Sequence, residues 1–392
     1  MSSNKLHIWV EEPVANSNGT TFSAVIEDPV NGRQTLWYKI PSEYSLVARN
    51  SFDAFIVANI FLIMKAGADC SFHGPLSPSL LRNLVEFQSA WAAWRPERYK
   101  QVDISPDKEI EETGAEPPAV ALAAFSGGVD STFTIYRHTT GECPKAWRRD
   151  IKACLFVNGF DIPLADPDAF DRAAEKIRST LSQVGVDLIT MSTNMQALNI
   201  EWDDTHIAGL ASALMFFKEF FNEGLIASGC AYSRLVIPWG SNPITDHLLS
   251  SSSFGIVHDG AGLRRLEKIK LLSAWPQGYD NLRVCFSAER RDENCGLCAK
   301  CVMDILLMRM EKVHQPASYP KLTDTQLANL EIPTPHQFVG FDSVVEKARE
   351  AGIKDAWVSI LHKRISQLKR ATEKSHSPVE RLEKLFSRAL KT

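Results

Sequence analysis

Over residues 5–40 the apolar positions come in short runs rich in β-branched and aromatic side chains. These are Leu6–Val10, residues 21–26 and residues 34–40, separated by Asn16-Ser17-Asn18-Gly19 and Asn31-Gly32. Such runs between turn residues predict strands. The period then lengthens. In Asp53–Ala66 apolar residues recur at helical spacing through Phe55, Ile56, Ala58, Ile60, Phe61 and Met64, with Gly67 placed as a cap. Pro78–Trp94 reads as a second helix between Pro75 and Pro96. A polar, acidic stretch, residues 107–115, leads to Pro117-Pro118 and reads as a linker. Residues 1–115 are therefore expected to form a separate α/β accessory domain.

From Ala119 to Phe125 the chain is apolar and uncharged, the mark of a buried parallel strand. Ser126-Gly127-Gly128 turns it, and Asp130-Ser131 opens a helix carrying Phe133, Ile135 and Tyr136. Further strands are expected at 152–157, 187–191 and 225–227, alternating with helices at 169–184 and 206–221. This alternation predicts an α/β fold built on a doubly wound parallel sheet. Ligands bind such sheets at the carboxyl ends of the strands. The segments expected there are Ser126–Ser131, Asn158–Asp161, Ser192–Asn194 and Ser228-Gly229-Cys230. Residues 233–259 read as a long open loop. Arg264, Arg265, Lys268 and Lys270 follow, and helical spacing puts Arg264 and Lys268 on one face, either solvated or holding pyrophosphate or a carboxylate. Beyond residue 320 the pattern predicts a C-terminal helical extension to residue 392, with helices at 341–352, 356–372 and 378–390.

Two groups of residues carry chemistry. Glycines after a buried strand let the backbone approach a ligand, and a helix start offers unpaired N–H groups and a partial positive charge. Ser126, Gly127, Gly128, Val129, Asp130 and Ser131 thus suit a phosphate. Asp130 can cap the helix or hold Mg²⁺. The Walker pattern is absent. The second group is Cys285, Cys295, Cys298 and Cys301, with gaps of nine, two and two residues. Four thiolates complete a tetrahedral structural Zn²⁺ site, and Gly296 permits the tight turn between two of them. Iron–sulfur is the competitor, but ferredoxin spacing needs a further cysteine before a proline, where Asp304 and Ile305 stand. Cys70, Cys143, Cys154 and Cys230 read as core thiols, Cys230 falling at a strand end.

Composition adds limits. The 392 residues are 44% hydrophobic and 23% charged, with a formal net charge of −4, which argues against non-specific binding to nucleic acid or an anionic membrane. The most apolar stretch, residues 55–65, is interrupted by Asn59 and is too short to span a bilayer. A cytoplasmic protein is expected, its eight cysteines serving a metal or the core.

The string Ser126-Gly127-Gly128-Val129-Asp130-Ser131 resembles the pyrophosphate loop (PP-loop) of the N-type ATP pyrophosphatases. Together with the downstream cysteine spacing it resembles the 7-cyano-7-deazaguanine synthase (QueC-like) family over residues 118–312. The resemblance implies a PP-loop, adenine-nucleotide-hydrolase-like domain with a zinc-binding knob at 285–301. It implies ATP contacts from Ser126, Gly127, Gly128, Asp130 and Ser131. Position at the strand ends adds Phe156 and Val157, expected to hold adenine by backbone contacts, and Ser228 and Gly229, and the expected catalytic residues are Asp130, Ser131, Arg264 and Lys268. Cofactors would be ATP, Mg²⁺ and Zn²⁺, and the reaction adenylation of 7-carboxy-7-deazaguanine. The accessory segments, and Asn158-Gly159-Phe160 in place of the synthases' Tyr-Gly-Gln, make the chain more similar to the larger members of antiviral operons. These are thought to join a deazaguanine to a protein amine. A protein encoded nearby is then the expected substrate or partner, and a homodimer is also compatible. The alternatives are a plain nitrile-forming synthase using ammonia, a tRNA-thiolating pyrophosphatase, which the net charge and cysteine positions disfavour, and a non-catalytic nucleotide-sensing subunit.

Overall fold

A computed structural model of the chain describes residues 5–44, 51–111, 119–198, 201–332 and 335–375. The chain divides into two compact units, Met1–Phe286 with Arg290–Asp292, and Ser287–Glu289 with Glu293–Thr392. The expected helix at 378–390 and residues 112–115 of the expected linker lie outside the described residues.

The first unit begins with β1 (Leu6–Val10), β2 (Val14–Asn16), β3 (Gly19–Asp28), β4 (Gly32–Ile40), α1 (Asp53–Ala66), β5 (Cys70–Leu76), α2 (Pro78–Trp94) and β6 (Ile104–Glu109). It continues through β7 (Ala121–Ala124), α3 (Val129–Thr139), β8 (Ile151–Asn158), α4 (Pro167–Ser182), β9 (Asp187–Thr193), α5 (Trp202–Met215), β10 (Glu223–Ala227), β11 (Gly255–Asp259), α6 (Arg265–Leu272) and α7 (Pro276–Asp280). The strands form one sheet of order β11-β10-β7-β8-β9-β4-β3-β1-β5-β6, with β2 beside β3. Pairing is parallel from β11 to β9 and again across β1, β5 and β6, and antiparallel around β3 and β4. The molecule is thus α/β with a large, mostly parallel sheet. Two expectations give way here, and one strand had not been expected. Residues 107–109 close a strand instead of opening a linker. Residues 70–76 form a strand that the apolar pattern did not announce. Residues 255–259, read as loop, form the parallel edge strand β11.

The junction between the two halves of the sheet is made by side chains as much as by backbone. β4 meets β9 at only two residue pairs, Tyr38↔Thr193 and Lys39↔Ser192. Asn194 extends the ladder, its Oδ1 accepting the Trp37 N–H at 2.8 Å and its Nδ2 donating to the Thr35 carbonyl at 2.8 Å. Thr193 Oγ1 donates to the Trp37 carbonyl at 2.8 Å. Thr193 and Asn194 stand at the carboxyl end of β9, as expected, and their side chains there hold β4.

Within the parallel half the order is 5-4-1-2-3 in chain sequence. Crossovers β7–β8–β9 run in one direction along the sheet and the crossover to β10 runs back, so right-handed connections put α3 and α4 on one face and α5 on the other. The direction reverses between β7 and β10, and the crevice beyond their carboxyl ends is the switch point. α1 packs against α5. Its residues are apolar all round and twelve of them are buried, as an interior helix requires. Gly67 ends it at φ 63°, with its N–H on the Ile63 carbonyl.

The second unit comprises α8 (Ala299–Glu311), α9 (Asp324–Ala328), α10 (Pro335–Glu350) and α11 (Ala356–Ser375). Phe341, Val344, Val345, Ala348, Trp357, Leu361 and Ile365 are buried, the periodic apolar faces of α10 and α11. Asp304 is buried and accepts from the Tyr319 hydroxyl at 2.9 Å.

Asp259, at the end of β11, fixes α3 to the sheet. Its carboxylate meets Thr134 Oγ1 at 2.9 Å, His138 Nε2 and Trp147 Nε1 at 3.2 Å, and Arg137 at 3.5 Å. His138 Nδ1 accepts the Arg149 N–H at 3.0 Å, so Nε2 carries the hydrogen and donates. Burial alone would raise the Asp259 pKa, but the His138 bond and the Arg137 charge outweigh it and hold the carboxyl below its ordinary value. A depressed folded pKa gives stability that is present above the unfolded pKa of about 4 and lost as pH falls through the folded value. Asp259→Asn should cost about 3 kcal/mol in denaturant unfolding at pH 7. The gap to wild type should narrow on acidification.

Candidate functional site

At the switch point β7 runs into Phe125, Ser126 and Gly127. Gly127 takes φ 77°, open to glycine at no cost, and Gly128 is the N-cap of α3 and has no side chain to cap it. The first-turn N–H groups of Val129, Asp130 and Ser131 fall at positions without an intrahelical acceptor. The loop is braced internally. Ser131 Oγ donates to the Gly128 carbonyl at 3.2 Å and accepts the Ser126 N–H at 3.3 Å, and Ser126 Oγ accepts the Gly128 N–H at 3.3 Å. Val129 is fully buried and anchors the helix start in the core.

Asp130 faces two cations. Lys268 Nζ lies 2.8 Å from Oδ1, and Arg265 lies 2.6 Å from Oδ2. The Lys268 side chain is 2% exposed, and its ammonium also donates to the Ser228 carbonyl at 2.6 Å. One buried charge therefore joins the loop after β7, the end of β10 and α6. With both oxygens of Asp130 carrying cations, the residues present do not fit a Mg²⁺ held by that carboxylate. Arg264, expected on the same face as Lys268, is the N-cap of α6 and pairs with Glu267 Oε1 at 2.7 Å. Arg265 stands at Asp130 in its place. Ser228 is buried, and Gly229 is exposed with open space around it.

One further residue at the loop, Arg283, escaped the sequence reading. Arg283 Nη2 donates to the Ser126 carbonyl at 3.0 Å and reaches Asp161 Oδ2 at 3.3 Å, while its backbone N–H donates to the Gly127 carbonyl at 2.8 Å. Its guanidinium lies over the Phe156 ring, 5.6 Å from the centroid, and Phe156 stacks on Phe170 at 4.7 Å. Phe156 and Val157 are buried. Backbone groups alternate sides along a strand. Leu155 accepts the Phe125 N–H, so Val157, two residues on, directs its N–H and carbonyl to the side where β7 has ended. Phe156 directs its own toward β9. Cys230 is influenced by Asp130 and Lys268, and burial, aided by Asp130, raises its thiol pKa, which keeps it protonated.

The loop after β10 is not open. Asn242 Oδ1 accepts the N–H groups of Ile244 and Thr245 at 3.0 and 3.1 Å, and its Nδ2 donates to the Trp239 carbonyl at 2.9 Å. Asp246 Oδ2 takes Ser241 Oγ and His258 Nδ1, both at 2.7 Å. Gly240 lies flat on the His206 ring, where an added Cβ would come within 2.4 Å.

The four cysteines expected to bind a metal come together. The sulfurs of Cys285, Cys295, Cys298 and Cys301 lie within 4.8 Å of one another. A tetrahedral Zn²⁺ with bonds of about 2.3 Å spaces its sulfurs by roughly 3.8 Å, so the set fits with a small contraction. Cys295 Sγ accepts the N–H groups of Leu297 and Cys298 at 3.4 and 3.2 Å, which fixes the turn between these two cysteines. Gly296 takes φ 72°, and a Cβ there would meet Pro320 at 2.9 Å, so this turn requires glycine. Upstream, Asp292 receives Arg172, Lys176 and Arg290. Burial works against ionisation, but the Arg172 bonds and the Lys176 charge prevail and lower its pKa to about 2.

Among the described residues no helix is long and apolar enough to cross a membrane. About one Zn²⁺ per chain should co-purify without visible absorption, measured by plasma mass spectrometry. Cys298→Ser should lose most of it and melt at lower temperature, since a structural metal contributes folding energy. A brown, iron-containing protein would contradict the zinc reading. Comparison with models of known families, with curated proteins and with solved structures gave no match to this chain.

Proposed function

We propose that the protein is an ATP-dependent ligase of the PP-loop kind that adenylates a carboxylate, with 7-carboxy-7-deazaguanine as substrate, and passes the acyl group to an amine. The observation that carries the reading is the loop itself: a glycine turn at positive φ, opening on an uncapped helix start, at the switch point of a 3-2-1-4-5 parallel sheet. That is where such sheets bind nucleotides. The cysteine spacing and its clustering support the QueC-like resemblance, and the metal would be structural, since four thiolates leave no open position.

In this reading the N–H groups of Gly127, Gly128 and the first turn of α3 receive the phosphates, and the Val157 backbone faces the adenine. The substrate carboxylate oxygen attacks the α-phosphorus, the bond to the bridging oxygen breaks and pyrophosphate leaves. The amine nitrogen then attacks the acyl carbon, AMP departs with its electron pair and the nitrogen loses its proton to solvent. Little covalent help is needed. Catalysis comes from alignment and from cations where charge develops. Lys268 and Arg265, fixed by Asp130, are the groups in position to serve. The amine is proposed to belong to a protein encoded nearby, in an antiviral system, with residues 1–115 and 320–392 helping to select it.

Asp130→Ala strips Lys268 and Arg265 of their shared carboxylate; it should melt at lower temperature than wild type and, at a temperature where it is still folded, lower AMP formation by about 10²-fold. Wild-type turnover in this variant would remove the loop from the mechanism. Intact-mass spectrometry of neighbouring gene products, co-expressed with the chain, should show one added deazaguanine. Unmodified proteins together with a nitrile formed from free ammonia would leave a plain synthase.

A further inference from the structure

Arg283 lies outside the loop, yet it engages both carbonyls at the loop's bend. Its side chain takes the Ser126 carbonyl, and its own backbone N–H takes that of Gly127. In a trans peptide the carbonyl and the following N–H point in opposite directions. Pinning the carbonyls of Ser126 and Gly127 toward Arg283 therefore turns the N–H groups of Gly127 and Gly128 away from Arg283; the Gly128 N–H makes a long 3.3 Å bond to Ser126 Oγ, which a bound phosphate would replace or share. Successive backbone N–H groups turned to one side at such a bend are the kind of donors that bind an anion. Gly127 packs beside Arg283: an added Cβ there would make ordinary contact with the Arg283 Cβ at 3.6 Å.

We propose that Arg283 is a positioning residue for the nucleotide loop: it fixes the two peptide planes whose N–H groups receive the phosphate. The proposal rests on the ligase reading above. Three features favour a dedicated clamp over general packing. The side chain is 7% exposed, so its orientation is set by its partners and not by water. The guanidinium spans from the loop after β7 to Asp161 after β8, and reaches the Arg291 carbonyl at 3.3 Å. Its Nε is buried with no hydrogen-bond partner among the described residues, a cost that simple structural pairing has no reason to bear. A lysine has one point charge and no planar fork, so it cannot serve these acceptors together.

The test uses the full chain, zinc-loaded, with magnesium pyrophosphate as the probe. Affinity is read by calorimetry, and the amide signals of Gly127 and Gly128 by NMR. Wild type should bind, with both glycine signals shifting. Arg283→Lys should bind about tenfold more weakly, with those two shifts reduced and the remaining spectrum retained. A general structural role would disturb the spectrum broadly instead. Should Arg283→Lys fail to fold, Asp161→Asn, which frees the guanidinium without removing it, should show a smaller drop of the same kind. Unchanged affinity and unchanged glycine shifts in a folded variant overturn the clamp alone. A wild-type chain that binds no pyrophosphate overturns the nucleotide reading and the clamp with it.

Discussion

The ammonium of Lys268 is cut off from water and has to be paired. Desolvating a charge costs several kcal/mol unless partners replace its hydration, and here Asp130 and the Ser228 carbonyl do so at 2.8 and 2.6 Å. The three groups come from α6, the first turn of α3 and the end of β10. Satisfying one buried cation therefore fixes the relative positions of the elements that frame the switch point. Arg265 closes the same carboxylate from its other oxygen. Asp259 does comparable work one step away, tying α3 to β11, while its carbonyl accepts the Ser228 N–H at 2.7 Å. The crevice at β7 and β10 is thus held by buried charge on one side and by Arg283 on the other.

The glycine turn supplies donors without side chains, and the side chains nearby are committed to holding it. Ser126 and Ser131 brace the turn, Val129 anchors it, and Arg283 orients its carbonyls. Tight bonding by Asn242 and Asp246 gives the long segment after β10 the character of a fixed wall.

Much of this was legible in the sequence where local signals were strong. α1 and α2 begin and end where Gly67 and the flanking prolines place them, and the strand–turn–helix at 121–139 follows from composition alone. The cysteine cluster was legible from spacing. The joining of residues 6–109 to the parallel half was not, because two residue pairs between β4 and β9, extended by Thr193 and Asn194, leave no local trace. The arginine that reaches Asp130 is Arg265, one position beyond the Arg264 that helical spacing set beside Lys268. Helical spacing counts only from the first helical residue, and Arg264 is the cap. Glu267, three residues on, was the available signal, since an acid at that position marks the residue before the helix. With the start at Arg265, that residue and Lys268 share a face. Arg283 had no sequence signal beyond its place two residues before Cys285.

The central claim, that the loop at the switch point activates a carboxylate with ATP, is tested most directly by exchange of radiolabelled pyrophosphate into ATP. Reversible adenylation returns label to ATP only while an acyl-adenylate forms on the protein. The account predicts exchange that depends on 7-carboxy-7-deazaguanine and disappears without it. Exchange absent under all conditions, or ATP consumed to ADP and phosphate instead, would contradict it.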